Sequence, residues 1–127
     1  MKKTRKVSFD FDDTLSKRRA QSFAKALIAR GVEVWIVTSR YSDLRRGGWD
    51  QKGYNDDLWE VADRLGIPSN RVVFTDQKPK ADFFLGSDFV WHLDDDPVEL
   101  EEINEQTSVP AIDVKGSFWI NKCVELL

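Results

Sequence analysis

Aspartate is a poor strand residue. Yet the run Val7-Ser8-Phe9-Asp10-Phe11-Asp12-Asp13-Thr14-Leu15 sets one aspartate inside an apolar stretch and a second two positions later. A carboxylate so placed can attack phosphorus and form an aspartyl-phosphate. A second carboxylate two residues on can protonate the leaving oxygen and then activate water. Three further clusters carry compatible chemistry: Thr38-Ser39-Arg40, the lysines Lys78 and Lys80, and Asp94-Asp95-Asp96. A threonine hydroxyl and a lysine can hold phosphoryl oxygens where negative charge must be balanced. Carboxylates gathered at one edge repel each other unless a cation neutralises them. Hard oxygen donors, in a chain with one cysteine and one histidine, suit Mg²⁺ rather than zinc. Taken singly the clusters say less. The aspartates 94–96 read equally as turn chemistry, Thr38 as a strand-end or N-cap residue, and the two lysines as surface.

The groups act together only if the fold gathers them. Short apolar runs predict strands over 7–11, 32–38, 71–75, 89–93 and 111–114. Between them, helices are predicted over 21–30, 56–65, 79–85 and 97–104, with a C-terminal helix covering the last strand. Gly31 and Gly66 stand where helix-ending glycines belong, and Pro97 suits a first-turn position. Strands separated by helices imply βαβ units and a parallel sheet, with right-handed crossovers placing helices on both faces. The predicted fold is α/β: a Rossmann-like three-layer α/β/α sandwich around a mainly parallel five-stranded sheet. Ligands bind such sheets beyond the carboxyl ends of the strands, where four of the predicted strands put the clusters above.

The 127 residues suit one domain spanning 1–127. A net charge of −3 gives no global pull towards nucleic acid or an anionic membrane. Cys123, without a second cysteine, cannot form an internal disulfide. No apolar run is long enough to cross a bilayer, and the basic start of the chain precedes a short strand rather than a signal-peptide core. A cytoplasmic protein with no membrane association is expected.

The motifs resemble those of the haloacid dehalogenase (HAD) superfamily of phosphohydrolases. Its first motif, an apolar strand then Asp-x-Asp-x-Thr-Leu, is met by Val7 to Leu15. A strand ending in Ser or Thr is met by Thr38, a lysine by Lys80 or Lys78, and an apolar strand followed by Asp-Asp by Val90 to Asp95. The resemblance implies that Asp10 is nucleophile and Mg²⁺ ligand. Asp12 would be general acid/base, with its backbone carbonyl on the metal. Thr38 and a lysine would bind the phosphoryl group, with Lys80 preferred because Lys-Ala-Asp-Phe-Phe looks like a helix start. Asp94 or Asp95 would complete the metal site. Asp13 stands where many members have glycine, and aspartate tolerates unusual backbone better than a bulky residue.

Family members often carry a cap domain, inserted after the first motif or before the lysine. Here neither gap has room for one, so an open, capless site is expected. A large phosphorylated substrate, macromolecule or nucleotide, could cover such a site, or a second subunit of a homo-oligomer could. The long segment 39–55 leaves the active edge after Thr38 and carries Arg40, Tyr41, Arg45, Arg46, Trp49 and Lys52. Arginines grip phosphates and aromatic rings stack on bases. Thr38-Ser39-Arg40 is similar to the Ser-Gly-Arg of the 3′-phosphatase domain of polynucleotide kinase-phosphatases, which makes Ser39 and Arg40 candidate substrate-binding residues. A nucleotide or polynucleotide-end phosphatase is therefore an alternative. From another class comes a receiver-like domain phosphorylated on Asp76, or a catalytically silent binding domain. His92 is expected as a packed or hydrogen-bonded core residue, Trp35, Trp59 and Trp91 as core, and Cys123 as a small apolar filler.

Overall fold

The computed structural model describes residues 4–42 and 53–127. Arg45, Arg46, Trp49 and Lys52 of the long segment lie outside the described residues. Five strands form one sheet: β1 (Lys6–Phe9), β2 (Glu33–Thr38), β3 (Val72–Phe74), β4 (Trp91–Asp94) and β5 (Ala111–Asp113), in the order β3-β2-β1-β4-β5. Every pairing is parallel. Among the described residues the helices are α1 (Arg18–Ala29), α2 (Asp56–Leu65), α3 (Lys80–Phe84), α4 (Pro97–Gln106) and α5 (Trp119–Leu126). The fold is Rossmann-like α/β.

Side chains alternate across each strand, and the alternation separates two layers of helix. On one face Val7, Phe9, Val34, Ile36, Trp91 and Leu93 pack in a single cluster with residues of α1, α2 and α5. On the other, Val37 packs with Ala81 and Phe84 of α3 and Ile103 of α4. This second face also carries a fully buried polar row, Ser8, His92 and Asp94, in the central strand β1 and its neighbour β4. Parallel register sets Ser8 directly beside His92.

Most elements fall within a few residues of their predicted ends. The first strand stops at Phe9 rather than residue 11. The Asp10 amide donates to the Leu93 carbonyl, and the chain then turns sharply through the loop Phe11–Leu15. Asp13 sits in the left-handed region at φ 59°, where a short polar side chain is tolerated. Gly66 ends α2 at φ 80°, as a C-cap glycine does. Trp91 is fully buried, whereas Trp35 and Trp59 are only partly so, and Cys123 is buried.

Candidate active site

In a 3-2-1-4-5 sheet the order of strand addition reverses between β1 and β4, and the crevice outside their carboxyl ends is the natural ligand position. Asp10 follows β1, and Asp94 ends β4 with Asp95 next to it. A cavity of about 370 Å³ opens there, its wall including Asp10, Asp12, Ser39, Lys80, Asp95 and Lys115.

Lys80 is the electrostatic centre. It begins α3 with its side chain only 2% exposed, and its Nζ donates to Asp10 Oδ1 at 2.8 Å and Asp94 Oδ2 at 2.6 Å. Its backbone amide donates to Glu99 of α4, which fixes the start of the helix. Burial disfavours the ammonium, but Asp10 and Asp94 outweigh it and raise the lysine pKa. Lys78 is exposed and lies outside this network; two residues apart in sequence, the two lysines have different surroundings.

Asp94 is saturated. Oδ2 takes Lys80 Nζ and His92 Nε2 (2.7 Å), while Oδ1 accepts the backbone amides of Asp95 (2.8 Å) and Asp96 (3.0 Å). An ionised carboxylate has about four lone-pair sites, so all are spent on the protein. Burial works against ionisation of Asp94, but the hydrogen bond from His92 and the charge of Lys80 hold its carboxyl below the usual range. Asp10 differs. Burial, the largest cause, pushes its carboxyl up to about 8; Lys80 offsets part of this and Asp94 adds to it. Its Oδ2 accepts a long contact from Thr14 Oγ1 at 3.4 Å.

His92 extends the network inward. With Nε2–H donated to Asp94, Nδ1 accepts from Ser8 Oγ at 2.8 Å. Burial lowers the pKa of His92 and favours this neutral form. Ser8, His92 and Asp94 have the residue types of a hydrolytic triad, but Ser8 is wholly buried, beyond the reach of any substrate. The row is structural support for Lys80 and Asp94.

Arg40, expected as a phosphate ligand, spends its donors on the protein. Nε and Nη2 fork onto Asp12 at 3.0 and 2.8 Å; Nη1 and Nη2 fork onto Asp57 of α2 at 2.7 and 2.9 Å. Nη1 also reaches Asn55 Oδ1. The guanidinium lies 5.0 Å from the Phe11 ring centroid and 5.9 Å from that of Tyr54. The hydrogen bonds it donates to Asp57 and Asp12 raise its pKa further, and Arg40 in turn lowers that of Asp57. The backbone of 39–42 is pinned as well. Gln77 N and Nε2 both donate to the Ser39 carbonyl, and Asp76 Oδ1 accepts from Ser42 N. Asp76 and Gln77 hold φ values of 54° and 68° to do so, a conformation that costs of order 1–3 kcal/mol each.

Thr38 is fully buried, and its Oγ1 accepts the Arg40 amide at 3.2 Å. Ser39 rather than Thr38 lines the cavity. Sequence reasoning passed over Asp57, which resembles any acidic residue in a helix first turn. It also passed over Lys115, whose only local signal is the turn after β5.

Asp10, Asp94 and Asp95 each offer a carboxylate oxygen, all within 4.8 Å of one another. An all-oxygen set crowded with negative charge fits a hard divalent cation. Among the described residues no helix is long and apolar enough to cross a membrane.

No family model and no curated protein matches the chain. Among solved structures it is similar to a Vibrio cholerae protein provisionally named 3-deoxy-D-manno-octulosonate 8-phosphate phosphatase, at 14% identity and TM-score 0.37, covering 97% of this chain and 82% of that one.

Proposed function

We propose that the chain is a Mg²⁺-dependent phosphomonoester hydrolase acting through an aspartyl-phosphate on Asp10. The observation that carries this is the buried Asp10–Lys80–Asp94 network beside Asp95 at the β1/β4 crevice. Asp10, Asp95 and the Asp12 carbonyl would hold the ion, which when bound offsets negative charge on the phosphoryl oxygens. Asp94, with its lone pairs occupied, acts by fixing Lys80 and the turn that carries Asp95.

In the first step an Asp10 carboxylate oxygen forms a bond to phosphorus as the ester P–O bond breaks. Asp12 gives its proton to the departing oxygen. In the second, water attacks the aspartyl-phosphate, Asp12 takes the water's proton, and phosphate leaves with Asp10 regenerated. Lys80 and Ser39 neutralise and orient the phosphoryl oxygens, as does the Thr38 hydroxyl if it turns outward. The fork from Arg40 holds the Asp12 carboxyl in a fixed orientation beside the crevice. No cap covers the crevice in this reading: α1 begins at Arg18, soon after the loop ending at Leu15, and only 75–79 separate β3 from α3.

A receiver-like domain would place its acceptor at Asp76. That side chain is instead bonded to Ser42 N and does not belong to the acidic cluster, which favours the hydrolase. The test is hydrolysis of an aryl phosphate with Mg²⁺, expected in the native protein and abolished in Asp10→Asn. Full activity in that variant would sink the mechanism.

A further inference from the structure

α1 is a basic helix in an acidic chain. Arg18, Arg19 and Lys25 lie within it, Lys17 and Arg30 flank it, and it contains no acidic residue. Arg18, Gln21, Ser22 and Lys25 share one face at i, i+3, i+4 and i+7. With Arg64 and Leu65 of α2 they line an open cleft of about 380 Å³. Arg18, Lys25 and Arg64 are exposed, and among the described residues none of them is ion-paired with a carboxylate. The cleft adjoins the catalytic loop: Gln21 Nε2 donates to the Leu15 carbonyl at 3.0 Å, and its Oε1 accepts from Arg64 Nη1 at 3.0 Å.

Three cations with an amide and a hydroxyl are donors suited to phosphate oxygens. Arg18 and Lys25 are about 10 Å apart along the helix axis at 1.5 Å per residue. Cations so spaced can meet successive phosphates of a strand. A peptide partner would want a buried apolar anchor, and among the described residues Leu65 is the only apolar side chain in the wall. We infer that the α1/α2 cleft binds the phosphodiester backbone of a single-stranded nucleic acid whose terminal phosphate is presented to Asp10. The inference rests on the hydrolase reading and names its substrate class.

The test is fluorescence anisotropy of a short labelled oligonucleotide with a terminal phosphate, titrated with salt in EDTA so that no turnover occurs. Binding is expected to weaken with salt, with a slope of about 0.7 per phosphate contact. Lys25→Gln with Arg64→Gln should lower that slope by about 1.4. The charge-matched control, Arg30→Gln with Lys122→Gln, lies outside the cleft and should leave the slope near that of the native protein. Equal loss in both pairs, an unchanged slope in the cleft pair, or preferential binding of a phosphopeptide would overturn the proposal. Cleft-dependent binding without any aryl phosphate hydrolysis would remove the hydrolase reading while leaving the cleft as a nucleic-acid site.

Discussion

Replacing Lys80 by methionine removes one positive charge from the most enclosed part of the site while nearly conserving volume. The ammonium stands 2.8 Å from Asp10 and 2.6 Å from Asp94. Metal-free Asp10 keeps its proton near neutral pH, so the ion pair is the one with Asp94, worth about 6 kcal/mol of attraction at an effective dielectric of 20. Desolvation of the two charges, several kcal/mol per ion, opposes this. Breaking a buried pair from one side leaves that cost with nothing against it, and about 3–5 kcal/mol of stability is typically lost. At an interpolated value of about 3–5 °C per kcal/mol, melting should fall by about 10–25 °C in EDTA. Overpacking is not a competing cause, because lysine and methionine have similar volumes. The assay is circular dichroism melting of both proteins in EDTA and then in Mg²⁺. On the proposed reading the cation should restore part of the loss, since it would bind the folded carboxylates and replace the missing charge. Melting of the variant within about 2 °C of the native protein in EDTA would refute the electrostatic account.

Three further outcomes follow from the geometry. Asp57→Asn loosens Arg40 and through it Asp12. Because the Asp57 side chain is 61% exposed, stability should fall by about 1 kcal/mol or less, whereas kcat should drop about tenfold or more with KM little changed; equal kcat would show that the clamp is idle. In metal-free protein the folded Asp10 carboxyl, raised to about 8, keeps a proton that the unfolded chain releases near 4, so stability should fall as pH rises between those values. Mg²⁺ should therefore raise Tm more near pH 8 than near pH 5, where it must expel that proton, and a pH-independent shift would contradict this. Cys123 is wholly buried and its thiol is pushed up to about 12 by burial, so a chromogenic disulfide reagent should label it only after denaturation; rapid native labelling would show an opening at α5.

The fold was legible wherever one local signal sufficed. Aspartate in an apolar run marks the end of β1, glycines close α1 and α2, and alternation of strands with helices implies a parallel sheet. The site was legible only in its residue types. That Asp94 is saturated depends on His92, Lys80 and two amides converging from different parts of the chain. That Arg40 serves Asp12 depends on contacts 28 and 17 residues away in sequence. Such pairings come from packing geometry, and no spacing in the sequence announces them. His92 gave a partial signal, since the only histidine in an otherwise apolar strand needs a partner.

The polar row Ser8–His92–Asp94 lies in the central strand β1 and its neighbour β4, with Asp10 at the mouth of the same pair. Backbone amides there open only when the whole sheet comes apart. The chemistry is thus tied to the most durable part of the molecule. Heat inactivation should be abrupt and coincide with global unfolding, with no long-lived, half-melted form that has lost its active centre but kept its shape.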